Sequence, residues 1–303
     1  MLLHRNLPFR TASLGSCHEC MHTVFMNTHS RKTLENSPIM HGEPFDIAWK
    51  EAGHESGKPL IFLHAMAGSS TAWAPQMDSL APYFRCIAWD MPGFGESADA
   101  PDGADMPWTV DTLYAFVTRT LNLSSAHFVG LSVGGMILQH FAARYPEVAK
   151  SIAILDSSPK FGFGGASKPA EFADPILADL AGGTSPADFS ESMIRAIVGP
   201  DCPEKVKMAA IQSMSRSRAN GLALATRLIA GHDALEQLCR ITCPVLTLAG
   251  AQDGETPPSY AYEIAARIGA ASVTIVPQAG HIVNLENPDP VTARLAFFLE
   301  HGL

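Results

Sequence analysis

The stretch "AHFVGLSVGGMILQHFAARYP" (126–146) runs from an apolar segment through a serine flanked by glycines and into a helix pattern. Residues 126–130 form a short continuous apolar run, as expected for a strand buried on both faces. Residues 133–145 read as a helix that Pro146 stops, because proline cannot continue the hydrogen-bond ladder. Between them, Gly130-Leu131-Ser132-Val133-Gly134 spells G-x-S-x-G. A strand that turns this sharply into a helix holds Ser132 at the tip in a strained conformation, and side chains at Gly130 and Gly134 would collide. The hydroxyl then stands above the carboxyl edge of the sheet, where helix N–H groups favour developing negative charge. That makes Ser132 a candidate nucleophile; the plainer reading is a glycine-rich turn.

The same rhythm continues outward. "FDIAWKEAG" (45–53), "PLIFLHA" (59–65), "RCIAWD" (85–90), "SIAILD" (151–156), "PVLTLAG" (244–250) and "SVTIVP" (272–277) read as further strands. Helix patterns occupy 110–121, 259–269 and 291–301. Strands alternating with helices imply right-handed β-α-β units and a mostly parallel sheet with helices on both faces, an α/β fold. Residues 157–235 interrupt the alternation: a glycine- and proline-rich start, then helix-like stretches, predict a mostly helical insertion.

The 303 residues suit one large domain with an inserted subdomain. A net charge of −9 argues against nucleic acid as a partner, since phosphate binding needs a basic face. No apolar run is long enough to span a bilayer, so no membrane partner is expected. The six scattered cysteines form no disulfide framework and are read as thiols of a cytoplasmic protein. Cys17 and Cys20 spell C-x-x-C with His22 and His29 nearby, but no second cysteine pair follows, so no metal site is expected. Residues 1–39 are expected to be a disordered extension: they carry Arg5, Arg10, Arg31 and Lys32, as a transit peptide would, and the arginines interrupt any secretory apolar core. Met40 opens what reads as the first strand.

A serine nucleophile needs a base, and histidine suits neutral pH. Of twelve histidines, His127 lies in a strand, His140 in a helix and His301 near the chain's end. His281, in "PQAGHIVNLENP", follows the last strand, where the chain order Ser…Asp…His requires the base. Asp253, in "LAGAQDGETPP", follows another strand and is the candidate acid that fixes the imidazole tautomer; Asp156 and Glu255 are alternatives. An oxyanion would be held by two backbone N–H groups, that of Val133 and that of Met66 in the loop after "IFLHA".

"PLIFLHAMAGSS", "DMPGFGES", "FVGLSVGG", "LAGAQDGETPP" and "AGHIVNLENP" together resemble the α/β-hydrolase superfamily over residues 40–303. "LSVGGMILQHFAARYPEVAKSIAILDSSPK" and "CPVLTLAGAQDGETPP" are most similar to the 3-oxoadipate enol-lactone hydrolases and their esterase relatives. The resemblance implies an eight-stranded sheet, a core from 40–156 and 236–303, a cap at 157–235, and a Ser132–Asp253–His281 triad needing no cofactor. It implies hydrolysis of a small-molecule carboxylic ester or lactone through an acyl-enzyme. The same fold also serves thioester, peracid and carbon–carbon cleavage chemistry, and small-ligand receptors. Where the family usually has His-Gly, this chain has His64-Ala65, which raises the question whether the loop tolerates a side chain there. A carboxylate-bearing substrate would want a cation, and Arg216, Arg218 and Arg227 are available; Phe161, Phe163, Phe172 and Phe189 suggest an apolar lining.

Overall fold

The computed structural model describes residues 39–42, 46–66, 68–165 and 167–302. The expected extension and its Cys17, Cys20, His22 and His29 lie outside them. Eight strands form one sheet: β1 (Ile39–Gly42), β2 (Ile47–Ala52), β3 (Lys58–Leu63), β4 (Phe84–Trp89), β5 (Ala126–Leu131), β6 (Ala149–Leu155), β7 (Val245–Gly250) and β8 (Ala271–Val276). Their order across the sheet is β1-β2-β4-β3-β5-β6-β7-β8. β1 and β2 are antiparallel, and from β4 to β8 every neighbour is parallel.

Among the described residues, ten helices accompany the strands: α1 (Ala74–Leu80), α2 (Met106–Ala115), α3 (Val133–Arg144), α4 (Pro169–Ala181), α5 (Pro186–Ile197), α6 (Glu204–Ser215), α7 (Ala219–Ala230), α8 (Pro258–Ile268), α9 (Val283–Glu286) and α10 (Pro288–His301). Every residue of β5 and β7 is buried. Alternate strand residues face opposite ways, so both faces of the sheet are covered there, which is why these strands read as unbroken apolar runs. α1 packs on α10, α2 on α3, and α8 on β7 and β8. No described helix is long and apolar enough to cross a membrane.

Three short or shifted helices, α1, α2 and α9, differ from the sequence reading. α2 starts at Met106 rather than near Val110, because the Asp105 carboxylate accepts the Trp108 N–H at 2.9 Å and caps the helix early. Its end widens into a looser turn in which the Leu121 N–H donates to the Phe116 carbonyl at 2.9 Å. α1 has no counterpart in the sequence reading, since seven residues are too few to display a helical period.

The segment between β6 and β7 folds as α4 to α7, with α4 packed on α7 and α5 on α6. It is joined to the loop after β4 at close quarters. Asn220 exchanges two hydrogen bonds with the backbone of Ala100, at 2.9 and 3.1 Å. Gly93 lies against Gly221 so tightly that a Cβ at Gly93 would sit 2.4 Å from the Gly221 Cα.

Candidate active site

Ser132 occupies the single residue between β5 and α3, with φ 55° and ψ −117°. A non-glycine residue rarely adopts a positive φ, and a strained backbone of this kind persists where its surroundings over-determine it. The surroundings are visible. A Cβ at Gly130 would meet the Gly134 carbonyl oxygen at 2.5 Å, and one at Gly134 would meet the Leu63 oxygen at 2.4 Å. The two glycines therefore let β5, α3 and the end of β3 approach one another.

β5, β6, β7 and β8 are consecutive neighbours in the sheet, so the loops leaving their carboxyl ends converge. The structure brings together the three residues singled out in the sequence. Ser132 Oγ lies 2.9 Å from His281 Nε2, and His281 Nδ1 lies 2.9 Å from Asp253 Oδ2. All three are buried. Asp253 is held from further sides: the Thr256 hydroxyl donates to Oδ2 at 2.6 Å, and the N–H groups of Glu255 and Thr256 donate to Oδ1 at 2.8 and 3.0 Å.

These contacts shape the charges. Burial disfavours the charged form of Asp253, but His281 and the Thr256 donors outweigh it and hold the carboxyl at about 2. Burial likewise opposes a charged His281, yet the Asp253 carboxylate beside it pushes the imidazole up to about 9. Asp156, weighed as an alternative acid, has another place. Its oxygens accept the N–H groups of Gly250 and Val283 at 2.8 and 3.0 Å, tying the ends of β6 and β7 to α9. Burial and then the Asp253 charge raise its carboxyl well above the usual range. It does not touch the imidazole through a hydrogen bond; Asp253 does.

The loop after β3 carries its own lock. The Ala65 carbonyl accepts from His64 Nδ1–H at 2.8 Å and from the Gly68 N–H at 2.9 Å. His64 Nε2 accepts the Met91 N–H at 3.0 Å, which leaves the proton on Nδ1. A trans peptide directs its carbonyl and N–H to opposite sides, so pinning the Ala65 oxygen aims the Met66 N–H the other way. Ala65 is absent from the residues with positive φ, so its side chain costs no backbone strain. The Val133 N–H stands at the first position of α3, where no partner exists within the helix.

A cavity of about 350 Å³ opens over Ser132 and His281, with Ala65 and Met66 also in its wall. Phe161 and Phe172, Met193, Ile197 and Ile229 make it mostly apolar. Phe161 packs on Phe172 with ring centroids 5.2 Å apart, while Phe163 turns away to pack on Tyr260 at 5.5 Å. Phe189 packs against the core and is not in the wall of this cavity.

The arginines expected near substrate separate. Arg218 is not in the wall of this cavity: its guanidinium is taken by Asp99 at 2.6 Å, by the Gly95 carbonyl at 2.8 Å and by the Ser97 carbonyl, and so fastens α7 to the loop after β4. Arg216 lines a second cavity, which shares Ala65 with the first, rather than the one over Ser132. Sequence reasoning missed Thr256, although its position three residues after an aspartate is the spacing of a local side-chain turn. It also gave no role to Glu286, which lies within "AGHIVNLENP" and gathers the backbone of the His281 loop.

Residues 58–288 match the model of the alpha/beta hydrolase fold family. Similar curated proteins include a pimeloyl-[acyl-carrier protein] methyl ester esterase of Chromobacterium violaceum, 29% identical over 80% of this chain and 95% of that protein. Another is the dihydrolipoyllysine-residue acetyltransferase component of the acetoin cleaving system of Pseudomonas putida, 28% identical over 84% of this chain but only 66% of that protein's length. Among solved structures, the enol-lactonase from Burkholderia xenovorans superposes with a TM-score of 0.79 at 22% identity, over 87% of this chain and 100% of the other. The family match, the strand order and the serine turn agree, and the chain belongs to the alpha/beta hydrolase fold family.

Proposed function

We propose that this hydrolase cleaves a carboxylic ester or lactone of a small molecule, with Ser132 as nucleophile, His281 as general base and acid, and Asp253 as the residue that orients the imidazole. The observation that carries the reading is the continuous hydrogen-bond chain from Ser132 Oγ through His281 to Asp253, 2.9 Å at each step, on the floor of an apolar cavity.

Ser132 Oγ attacks the carbonyl carbon while His281 Nε2 takes its proton, and the carbonyl π electrons move onto oxygen. The N–H groups of Val133 and Met66 receive that oxyanion, each being worth on the order of 3 kcal/mol in the transition state. The tetrahedral species collapses, the alcohol leaves with the proton from His281, and an acyl-Ser132 ester remains. Water then attacks the acyl group, again giving its proton to His281, and the acid departs as Ser132 recovers its hydrogen. In a lactone the alcohol stays attached, so a single hydroxy acid is released.

The curated relatives named as ester hydrolases support this reading. The segment 157–235 acts as a cap that closes the cavity and sets its shape, since Phe161, Phe172, Met193, Ile197 and Ile229 all contribute to the wall. The described cysteines are all free thiols, which supports a reducing compartment such as the cytoplasm. The test is p-nitrophenyl acetate. The protein is expected to release nitrophenolate over many turnovers, and Ser132→Ala to lower kcat by at least about 10³-fold. Equal turnover by that variant removes Ser132 from the mechanism.

A further inference from the structure

Ser157 is buried and touches the backbone of the nucleophile. It follows β6, which lies beside β5 with Leu155 opposite Leu131. Its hydroxyl donates to the Ser132 carbonyl at 2.9 Å. Gln139 Nε2 donates to the Ser157 oxygen at 3.4 Å, which leaves the hydroxyl proton for Ser132. The Ser132 carbonyl also accepts the Met136 N–H at 3.0 Å, the ordinary bond of the first turn of α3, so both of its lone pairs are used. On the other side, the Ser132 N–H donates to the Leu155 carbonyl at 2.9 Å. Leu155 and Ser157 thus grip Ser132 through both of its peptide bonds, and Asp156 makes the turn between them with φ 40°. A non-glycine residue in this left-handed region persists where its surroundings hold it.

The Ser132 carbonyl and the Val133 N–H are the two polar groups of one peptide bond. A trans peptide directs them oppositely, so a hydroxyl that fixes the carbonyl also fixes where the N–H points. A hydrogen bond to the carbonyl further polarises the amide and makes its N–H a stronger donor. The peptide between Ala65 and Met66 is built alike, with His64 Nδ1–H on its carbonyl at 2.8 Å. Two strands, β3 and β5, therefore lead into a peptide whose carbonyl is anchored by a buried side chain from elsewhere or beside it.

We infer that Ser157 is a positioning residue for the oxyanion, acting through the Ser132–Val133 peptide. The inference rests on the Ser132 reading, since without acyl transfer at Ser132 there is no oxyanion to hold. A serine that only supported the fold would serve the ester and its tetrahedral adduct alike. A serine that aims the Val133 N–H matters most when the substrate oxygen carries charge, so its loss weakens the adduct more than the ester in its ground state.

The experiment pairs turnover of p-nitrophenyl acetate with inhibition by 1,1,1-trifluorohexan-2-one. Ser132 Oγ adds to the ketone carbon, its proton passes to His281, and the carbonyl π pair moves onto oxygen, so the adduct carries the oxyanion. Ser157→Ala is expected to lower kcat about tenfold with KM changed by no more than about twofold, a part of the roughly 10²- to 10³-fold that loss of a whole donor costs. Inhibition by the ketone should weaken by about the same tenfold, because both readings report the charged oxygen. A variant with native kcat and native ketone affinity overturns the inference, whatever its Tm. So does a variant in which KM and ketone affinity worsen equally, since that marks general support of the fold. Should Ser157→Ala fail to fold, Ser157→Cys decides: the thiol keeps the side chain but is a weak donor, and losses of about threefold in kcat and in ketone affinity are expected. Native values there overturn the inference. Failure of the Ser132 reading looks different. The native protein then neither turns over the ester nor binds the ketone, and Ser157 loses its role with it.

Discussion

The backbone N–H of His281 donates to the carbonyl of Ile197 at 3.1 Å, so the loop bearing the imidazole is hydrogen-bonded to the last residue of α5. Glu286 reinforces the link. Its Oε2 accepts the N–H groups of Gly199 and Gly280, both at 2.9 Å, and its Oε1 accepts that of Ile282 at 3.1 Å. One carboxylate thus holds the residues on either side of His281 and the chain just beyond α5. Glu286→Ala leaves three buried donors without their acceptor. At ~1 kcal/mol or more for each, a loss of about 3 kcal/mol and a Tm lower by about 10 °C are expected. kcat should fall as well, because the imidazole is no longer held against Ser132. Native Tm and kcat in this variant would show that Glu286 holds nothing.

The charge on His281 sets the pH profile. Attack needs the neutral imidazole, and its titration at about 9 rather than 6.5 keeps it charged at neutral pH. kcat/KM is therefore expected to climb with pH through the range 7 to 9. Asp253→Asn removes the carboxylate that stabilises the cation while burial remains, so the midpoint should fall below that of the native protein even as kcat drops steeply. A native profile already flat above pH 6.5 contradicts the assignment.

Gly134→Ala tests the turn independently of the chemistry. Its Cβ would stand 2.4 Å from the Leu63 carbonyl oxygen, and backbone on both sides leaves no flexible side chain to yield. The expected cost is about 3 kcal/mol or more, measured as reduced soluble yield and a lower Tm. A fully stable Gly134→Ala variant would mean that β3 and α3 are not packed this closely.

Arg218→Ala separates structure from specificity at one residue. The side chain bridges α7 to Asp99, Gly95 and Ser97, and is partly exposed. A loss of about 1 kcal/mol and faster proteolysis near the start of α7 are expected. The KM for p-nitrophenyl acetate should stay as in the native protein. A shift in that KM would return Arg218 to the substrate.

What the sequence by itself determined is what repeats locally. The apolar runs at 59–65, 126–130 and 244–250 declare strands covered on both faces, because a strand buried on both sides is apolar at nearly every position. The serine turn was legible because its glycines answer to contacts within a few residues and with the adjacent strand. Strand ends then placed Asp253 and His281 at the same rim as Ser132, and chain order completed the set. Tertiary structure alone decided what depends on partners far along the chain. Three arginines near residue 220 look alike in sequence, yet Arg218 meets Asp99, more than a hundred residues away, and Arg216 faces a cavity that also receives Lys50 from β2. Glu286 lies within "AGHIVNLENP", but its role was not legible because its partners are backbone N–H groups, which every residue but proline possesses. Lys50 reads as the polar side of an alternating strand. Its burial exists only in the assembled fold, where it shares a cavity wall with residues of α6, since solvation is a property of the assembled volume and not of the residue.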